Sequence, residues 1–292
     1  MKNGRDAEGC KDRLCYNENV YRVSAATGQF REIMQAGLEC MGDIDLYAEY
    51  EVLSLAAESL GLISENFALD ISDLRLLAGL LDSVSADEKL HRELSLRVAA
   101  RNVHELEALC AAAGCPRAAA ARLLTFTRLR CPLREAPETL APFCVGPEAE
   151  AALGELAALA ELLSGREGVY FDASVLSHMS YYNGLVFRGY IDGVSEGILS
   201  GGRYDKLMQK MGRSGGAIGF AVYLDLLEQL GGQGREYDVD VLLLYDESCS
   251  PSAVAGQAEM LRSGGKSVSC QRRIPERLRY RELYDMRGGA PC

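Results

Sequence analysis

The sequence predicts an α+β protein, and three observations carry that prediction. Alternating apolar and polar segments stand near the start of the chain and again after its middle. A Leu-, Ala-, Glu- and Arg-rich stretch of helical periodicity separates them. The C-terminal part reads strand, helix, strand.

The chain's length of 292 residues and its 48% hydrophobic content allow two domains, or one with a substantial insertion. No apolar run approaches the roughly 20 residues that span a bilayer, and the opening MKNGRDAEGC lacks the apolar stretch of a signal peptide. The expected compartment is the cytoplasm, with no membrane partner. The ten cysteines are scattered, with no CxxC pair and no histidines at zinc-ligand spacing, so they read as reduced thiols and no metal site is expected. A net charge of −11 repels polyanions, and the one arginine cluster, QRRIPERLRYREL, is interleaved with glutamates. It reads as a solvated helix face, and no nucleic-acid partner is expected.

In order along the chain, LCYNENVYRV alternates, turns near Thr27 and Gly28, and returns as REIMQAGLECMG, which predicts two strands joined by a loop. AEYEVLSLAAESLGL has helical spacing and is expected to close on Gly61. From Ser72 to Gly165 the pattern is helical, with capping boxes at Ser85 to Glu88 and Asn102 to Glu105, and with Gly114 and Gly165 as C-caps. Pro132, Pro137, Pro142 and Pro147 mark an irregular crossing within it. GVYFDAS and YYNGLVFRGYI read as strands, Asp192-Gly193 as a hairpin turn, and EGILSGG as the return strand. YDKLMQKMG and AIGFAVYLDLLEQL read as helices packed on that antiparallel sheet. A glycine-rich linker at 231–234 then leads to DVDVLLLYD, a helix capped by Ser250 with Pro251 at its first position, and SVSCQ. That order implies a small parallel α/β unit. The expected divisions are therefore 1–71 and 166–232 as two parts of one core, 72–165 as a helical insertion, and 233–292 as a C-terminal domain.

The glycine-rich segments SGGRYD and RSGGAIGF match neither a P-loop nor a dinucleotide fingerprint, and from spacing alone they read as tight turns and close backbone approaches. Tyr181 and Tyr182 precede an apolar strand, where alternation sends one ring to each face.

SYYNGLVFRGY, LSGGRYDKLM and AIGFAVYLDLL, in that order, resemble the histidine-recognition segment and motif 3 region of class II histidyl-tRNA synthetases. VYRVSAATGQFREIMQAGLECMG resembles that family's motif 2. The resemblance covers roughly residues 14–70 and 166–232 and implies the class II synthetase antiparallel sheet. It places Arg22 on the arginine that touches the α-phosphate, and Gln35 and Glu39 on the pair that holds the substrate amino group. Tyr181 and Tyr182 fall beside the imidazole pocket, and Tyr204 falls on the tyrosine of the GGRYD-like element. A carboxylate answers an ammonium, and tyrosine hydroxyls can orient an imidazole.

The departures matter as much. Leu226 stands where motif 3 of an active enzyme has the γ-phosphate arginine. Ser177 replaces the arginine of the RGLDYY-like segment, and Ser24 replaces the acidic residue after the motif 2 arginine. Phosphoryl chemistry depends on such cations in a dry site. An amino-acid pocket without activation machinery resembles the histidine-biosynthetic regulatory subunits, synthetase-like proteins that pair with a short-form ATP phosphoribosyltransferase catalytic subunit. That resemblance implies no aminoacylation, no catalytic residue, no cofactor, L-histidine as effector and a homodimer in the full-length form. The family's motif 1 lies upstream of anything here, so the chain is expected to be N-terminally truncated, and the C-terminal unit, loosely like an anticodon-binding domain, is expected to be incomplete. A histidyl-tRNA synthetase fragment and a free-standing amino-acid-binding scaffold are the alternatives.

Overall fold

The computed structural model describes residues 11–23, 28, 30–176, 182–230 and 237–288, with Arg22 and Arg31 described by their backbone alone. The chain forms two compact units, Met1–Glu228 and Gln229–Cys292.

The first unit is built on an eight-stranded sheet. β1 (Asp12–Val23) and β2 (Phe30–Gly42) form the long hairpin expected from their alternation, and α1 (Leu46–Ile63) follows, capped by the Asp45 carboxylate accepting from the Ala48 N–H. The helix passes through Gly61 and ends on Ser64, because Leu60 is fully buried and the last turn continues to serve the core. β3 (Phe67–Asp73) leads into a helical excursion: α2 (Leu74–Val84), α3 (Glu88–Ala99), α4 (Val103–Ala112), α5 (Arg117–Thr127), the short β4 (Arg130–Pro132), α6 (Ala136–Leu140) and α7 (Pro147–Leu162). The chain returns through β5 (Val169–Asp172), β6 (Leu185–Ile191), β7 (Leu199–Arg203), α8 (Asp205–Lys210) and β8 (Gly216–Tyr223). The strand order is β1-β2-β8-β7-β6-β3-β5-β4, antiparallel throughout except where β3 runs parallel to β5.

Several local expectations need correction. AIGFAVY is a central strand and not a helix. All but its last residue are buried, so both faces of the strand are apolar and the period-two signal vanishes. The residues after it, Leu224–Leu230, form a 3-10 helix. Ser85 closes α2, and Asp87 is the N-cap of α3, accepting from the Lys89 N–H. Asn102 does cap α4, accepting from the Glu105 N–H at 3.1 Å. Gly114 takes the left-handed conformation after α4 (φ +65°), but past α7 it is Gly168 (φ +79°), not Gly165, that does so. Asp192-Gly193 is no two-residue hairpin turn, since Gly189 pairs with Leu199 and leaves a longer loop.

One face of the sheet is covered by α1, whose Val52, Leu53, Ala56 and Leu60 are fully buried. Beneath it lie Leu38, Ile218, Phe220, Leu199, Phe187, Leu69 and Ile71, one apolar residue after another along the registered rows. The helical excursion is tied to the far side of the sheet by charge. Arg130 donates to Asp70 at 2.9 Å and stacks over the Tyr170 ring, while Arg101 reaches Asp172. Both carboxylates are about 95% buried and each keeps a guanidinium, as burial of charge requires.

In the second unit, β9 (Val239–Leu244) is flanked in parallel by β10 (Val268–Gln271) and β11 (Tyr280–Asp285), with α9 (Pro251–Ser263) capped by Ser250. The β-α-β expectation holds. The arginine cluster is not a helix face: its end, Tyr280–Asp285, is a strand completing the sheet. Among the described residues, no helix is long and apolar enough to cross a membrane.

Candidate functional site

The face of the sheet opposite α1 is polar. Alternation along β2 puts Gln35, Gly37 and Glu39 on it together. Register then places Tyr16 of β1 opposite Gly37, and Gly219 of β8 opposite Glu39, with Gly202 of β7 next in the same row.

Three glycines on this face make room for three site side chains. A Cβ on Gly37 would lie 2.4 Å from the Tyr16 ring, one on Gly219 would lie 2.0 Å from Glu39 Oε2, and one on Gly202 would lie 2.7 Å from the Tyr182 ring. These three glycines serve close approach of neighbouring side chains. They lower the sheet surface so that a carboxylate and two aromatic rings can lie on it.

Tyr204, at the end of β7 and 6% exposed, donates its hydroxyl to Glu39 Oε2, and its ring stands 6.4 Å from that of Tyr182. Behind it, on the α1 side, Arg203 bonds to the buried Glu49 at 2.9 Å and to Asp205 at 2.8 Å, which anchors the strand end that presents Tyr204. Burial raises the Glu39 carboxyl above the usual glutamate range, and the Tyr204 hydrogen bond only partly opposes it. Gln35 is 6% exposed. Its Nε2 donates to the Tyr16 hydroxyl at 3.0 Å, while its Oε1 is buried without a hydrogen-bond partner among the described residues. Next to it Tyr223, opposite Gln35 in register, shares a 2.7 Å hydrogen bond with Ser200.

Leu226 is 8% exposed and belongs to the main apolar core. It borders a depression of about 450 Å³ whose lining includes Arg188 but also Glu196 and Asp225, so two carboxylates stand beside its one cation. Of the residues singled out from sequence, the structure brings Gln35, Glu39, Tyr182 and Tyr204 together on one surface. Arg22 lies in β1 opposite Arg31, its side chain undescribed, and Ser24, Ser177 and Tyr181 lie outside the described residues. Tyr16 was not foreseen; its place follows from cross-strand register, which no single segment reveals.

The arrangement offers a desolvated carboxylate, an unsatisfied amide oxygen and two tyrosines, a set suited to a small ligand rich in N–H donors. A family model described as histidyl-tRNA synthetase matches residues 4–227. The chain is 31% identical over 268 residues to the ATP phosphoribosyltransferase regulatory subunit of Lysinibacillus sphaericus, covering 89% of this chain and 68% of that protein. The ATP phosphoribosyltransferase regulatory subunit of Clostridium kluyveri is likewise 31% identical, over 87% of this chain and 67% of its own. The chain therefore spans about two thirds of the length of these relatives. Among solved structures, an ATP phosphoribosyltransferase regulatory subunit/histidyl-tRNA synthetase from Bacillus halodurans C superposes with a TM-score of 0.68 at 28% identity, over 95% of this chain and 74% of the other.

Proposed function

The chain belongs to the family of ATP phosphoribosyltransferase regulatory subunits, histidyl-tRNA-synthetase-like proteins, and we propose that it activates a catalytic phosphoribosyltransferase subunit and makes it responsive to histidine. It is a regulatory and not a catalytic subunit. The observation that carries this reading is the contrast within the site. The groups suited to an amino acid, Gln35, Glu39, Tyr182 and Tyr204, are assembled on one surface, while Leu226, at the position that the synthetase resemblance assigns to the γ-phosphate clamp, is packed into the core. A buried leucine stabilises the fold and offers nothing to a polyphosphate.

A protein without chemistry of its own can regulate only by binding one state of its partner better than another, and the size of its effect is bounded by that difference in affinity. Histidine in the Glu39 site would act by shifting the same equilibrium. The test is to mix the chain, and separately a form extended to the length of its relatives, with a short-form catalytic subunit and to follow phosphoribosyl-ATP formation. The expected outcome is activation by the extended form, reversed by histidine, with no histidine-dependent ATP–pyrophosphate exchange by either form. Exchange above a no-protein blank would favour a synthetase fragment, and an extended form that neither co-elutes with the catalytic subunit nor changes its rate would leave an amino-acid-binding scaffold.

A further inference from the structure

Two cysteines in the helical excursion are placed by the backbone in a way the site described above does not use. α4 ends in a two-bond turn: the Gly114 N–H donates to the Ala111 carbonyl at 3.1 Å, and the Cys115 N–H donates to the Cys110 carbonyl at 3.0 Å. Gly114 supplies the left-handed residue between them, with φ +65° and open space where a Cβ would stand. This pairing of a 5→2 and a 6→1 bond is the Schellman motif. Its usual companion is an apolar contact between the third residue from the helix end and the second residue past the cap. Here both of those residues are cysteine. Cys110 is a member of the main core at 3% exposure, and Cys115 is half-buried and packs against the same core.

We propose that Cys110 and Cys115 form a modification site, an oxidisable dithiol that a hydroperoxide closes to a disulfide across the end of α4. Disulfides span Cα separations of about 4.4–6.8 Å, and a 6→1 bond turns the chain back on itself to bring two residues that close. The more accessible Cys115 reacts first, as its thiolate. Its sulfur attacks the O–O bond, which breaks; an S–O bond forms, giving a sulfenic acid, and one oxygen leaves as water. The Cys110 sulfur then attacks the Cys115 sulfur. The S–S bond forms, the S–O bond breaks, and a second water leaves with the Cys110 proton. Two thiols lose two electrons and the peroxide gains them. The order follows from the environment: burial first, and then the neighbouring thiol, push Cys110 up to about 11, which keeps it protonated and unsuited to the first attack. The ring so closed fixes the turn between α4 and α5, on the excursion that Arg101 and Arg130 tie to the sheet.

Cys110 and Cys115 share one tryptic peptide, residues 102–117, with no other cysteine in it, so the outcome can be read directly. The folded chain is treated with hydrogen peroxide, remaining thiols are alkylated with N-ethylmaleimide, and the digest is weighed. The expected result is a peptide lighter by two hydrogens that carries no alkyl group and regains two alkylatable thiols after dithiothreitol. In Cys110→Ser the reaction should stop at a sulfenic acid on Cys115, trappable with dimedone. In Cys115→Ser the buried Cys110 should stay a free thiol. Gly114→Ala, which strains the left-handed residue without adding a clash, should slow closure several-fold and so decides the matter even if a serine variant fails to fold. Two alkylated thiols in this peptide while the exposed Cys15 is oxidised, or a disulfide from Cys115 to any cysteine other than Cys110, would overturn the proposal.

Discussion

The two faces of the eight-stranded sheet are made by the same strands, residue by alternate residue, yet they obey different rules. On the α1 face, Leu38, Phe187, Ile218 and Phe220 fill space, and the buried Glu49 is met by Arg203. On the opposite face stand a glutamate with a raised pKa, a glutamine with a buried unpartnered oxygen, and three glycines that hold the surface down for them. Both faces bury a carboxylate at a desolvation cost, but Glu49 on the α1 face is met by a guanidinium and Glu39 on the other by a tyrosine hydroxyl, which is the pattern expected of a surface kept to receive a cationic ligand.

The comparison can be broken most forcefully on the α1 face. Phe187 is fully buried and meets Phe220 edge-on at 6.4 Å. Phe187→Ala should therefore lower the unfolding free energy by about 3–5 kcal/mol, read as a drop in the urea midpoint. A loss under about 1 kcal/mol would mean that this face is not the stabilising one.

The opposite face should respond in reverse. Glu39→Ala removes the carboxylate that accepts from Tyr204, and histidine affinity should fall by about 1.5–3 kcal/mol, tenfold or more, in calorimetry. A carboxyl whose folded-state pKa is raised contributes stability that is fully present below its unfolded-state pKa and lost as pH rises through the folded value, so Glu39 makes the ligand-free protein less stable as pH rises. Glu39→Gln should lose less stability than the parent as pH rises from 4 to 7, read as the change in melting temperature of each. A variant destabilised equally at both values would show that Glu39 is structural, and equal histidine affinities would place any histidine site elsewhere.

The contrast between the faces also explains what the sequence could and could not reveal. The hairpin was legible because β2 alternates, with Met34, Ala36, Leu38 and Cys40 on one face and Gln35, Gly37 and Glu39 on positions that any strand would bring together on the other. β8 was misread because it is buried on both sides, so AIGFAVY carries no period to distinguish strand from helix. β11 was misread because its short, mostly exposed YRELYD owes its place to pairing with β9, a partner some forty residues away in sequence. The same holds within the site. Tyr204 could be proposed from its glycine-rich neighbours, but its bond to Glu39 spans 165 residues, and the fit of Tyr16 over Gly37 depends on a register that only the folded sheet fixes.

Tyr16 gives the finest test of the polar face, because its expected effect is small and specific. Its hydroxyl accepts from Gln35 Nε2, which fixes how the amide is turned and leaves Oε1 buried without a hydrogen-bond partner among the described residues. Tyr16→Phe keeps the ring that fills the space above Gly37 and removes the hydroxyl to which Gln35 donates. The Gln35 amide is then free to present its N–H₂ instead, which would repel an ammonium. Affinity for histidine should fall by about 0.5–1.5 kcal/mol, roughly two- to tenfold. Imidazole propionate, which lacks the amino group, should bind the variant as well as it binds the parent. If both ligands weaken together, Tyr16 acts through packing alone. If neither changes while the parent binds histidine, the orientation of Gln35 is set by something other than the bond across the hairpin.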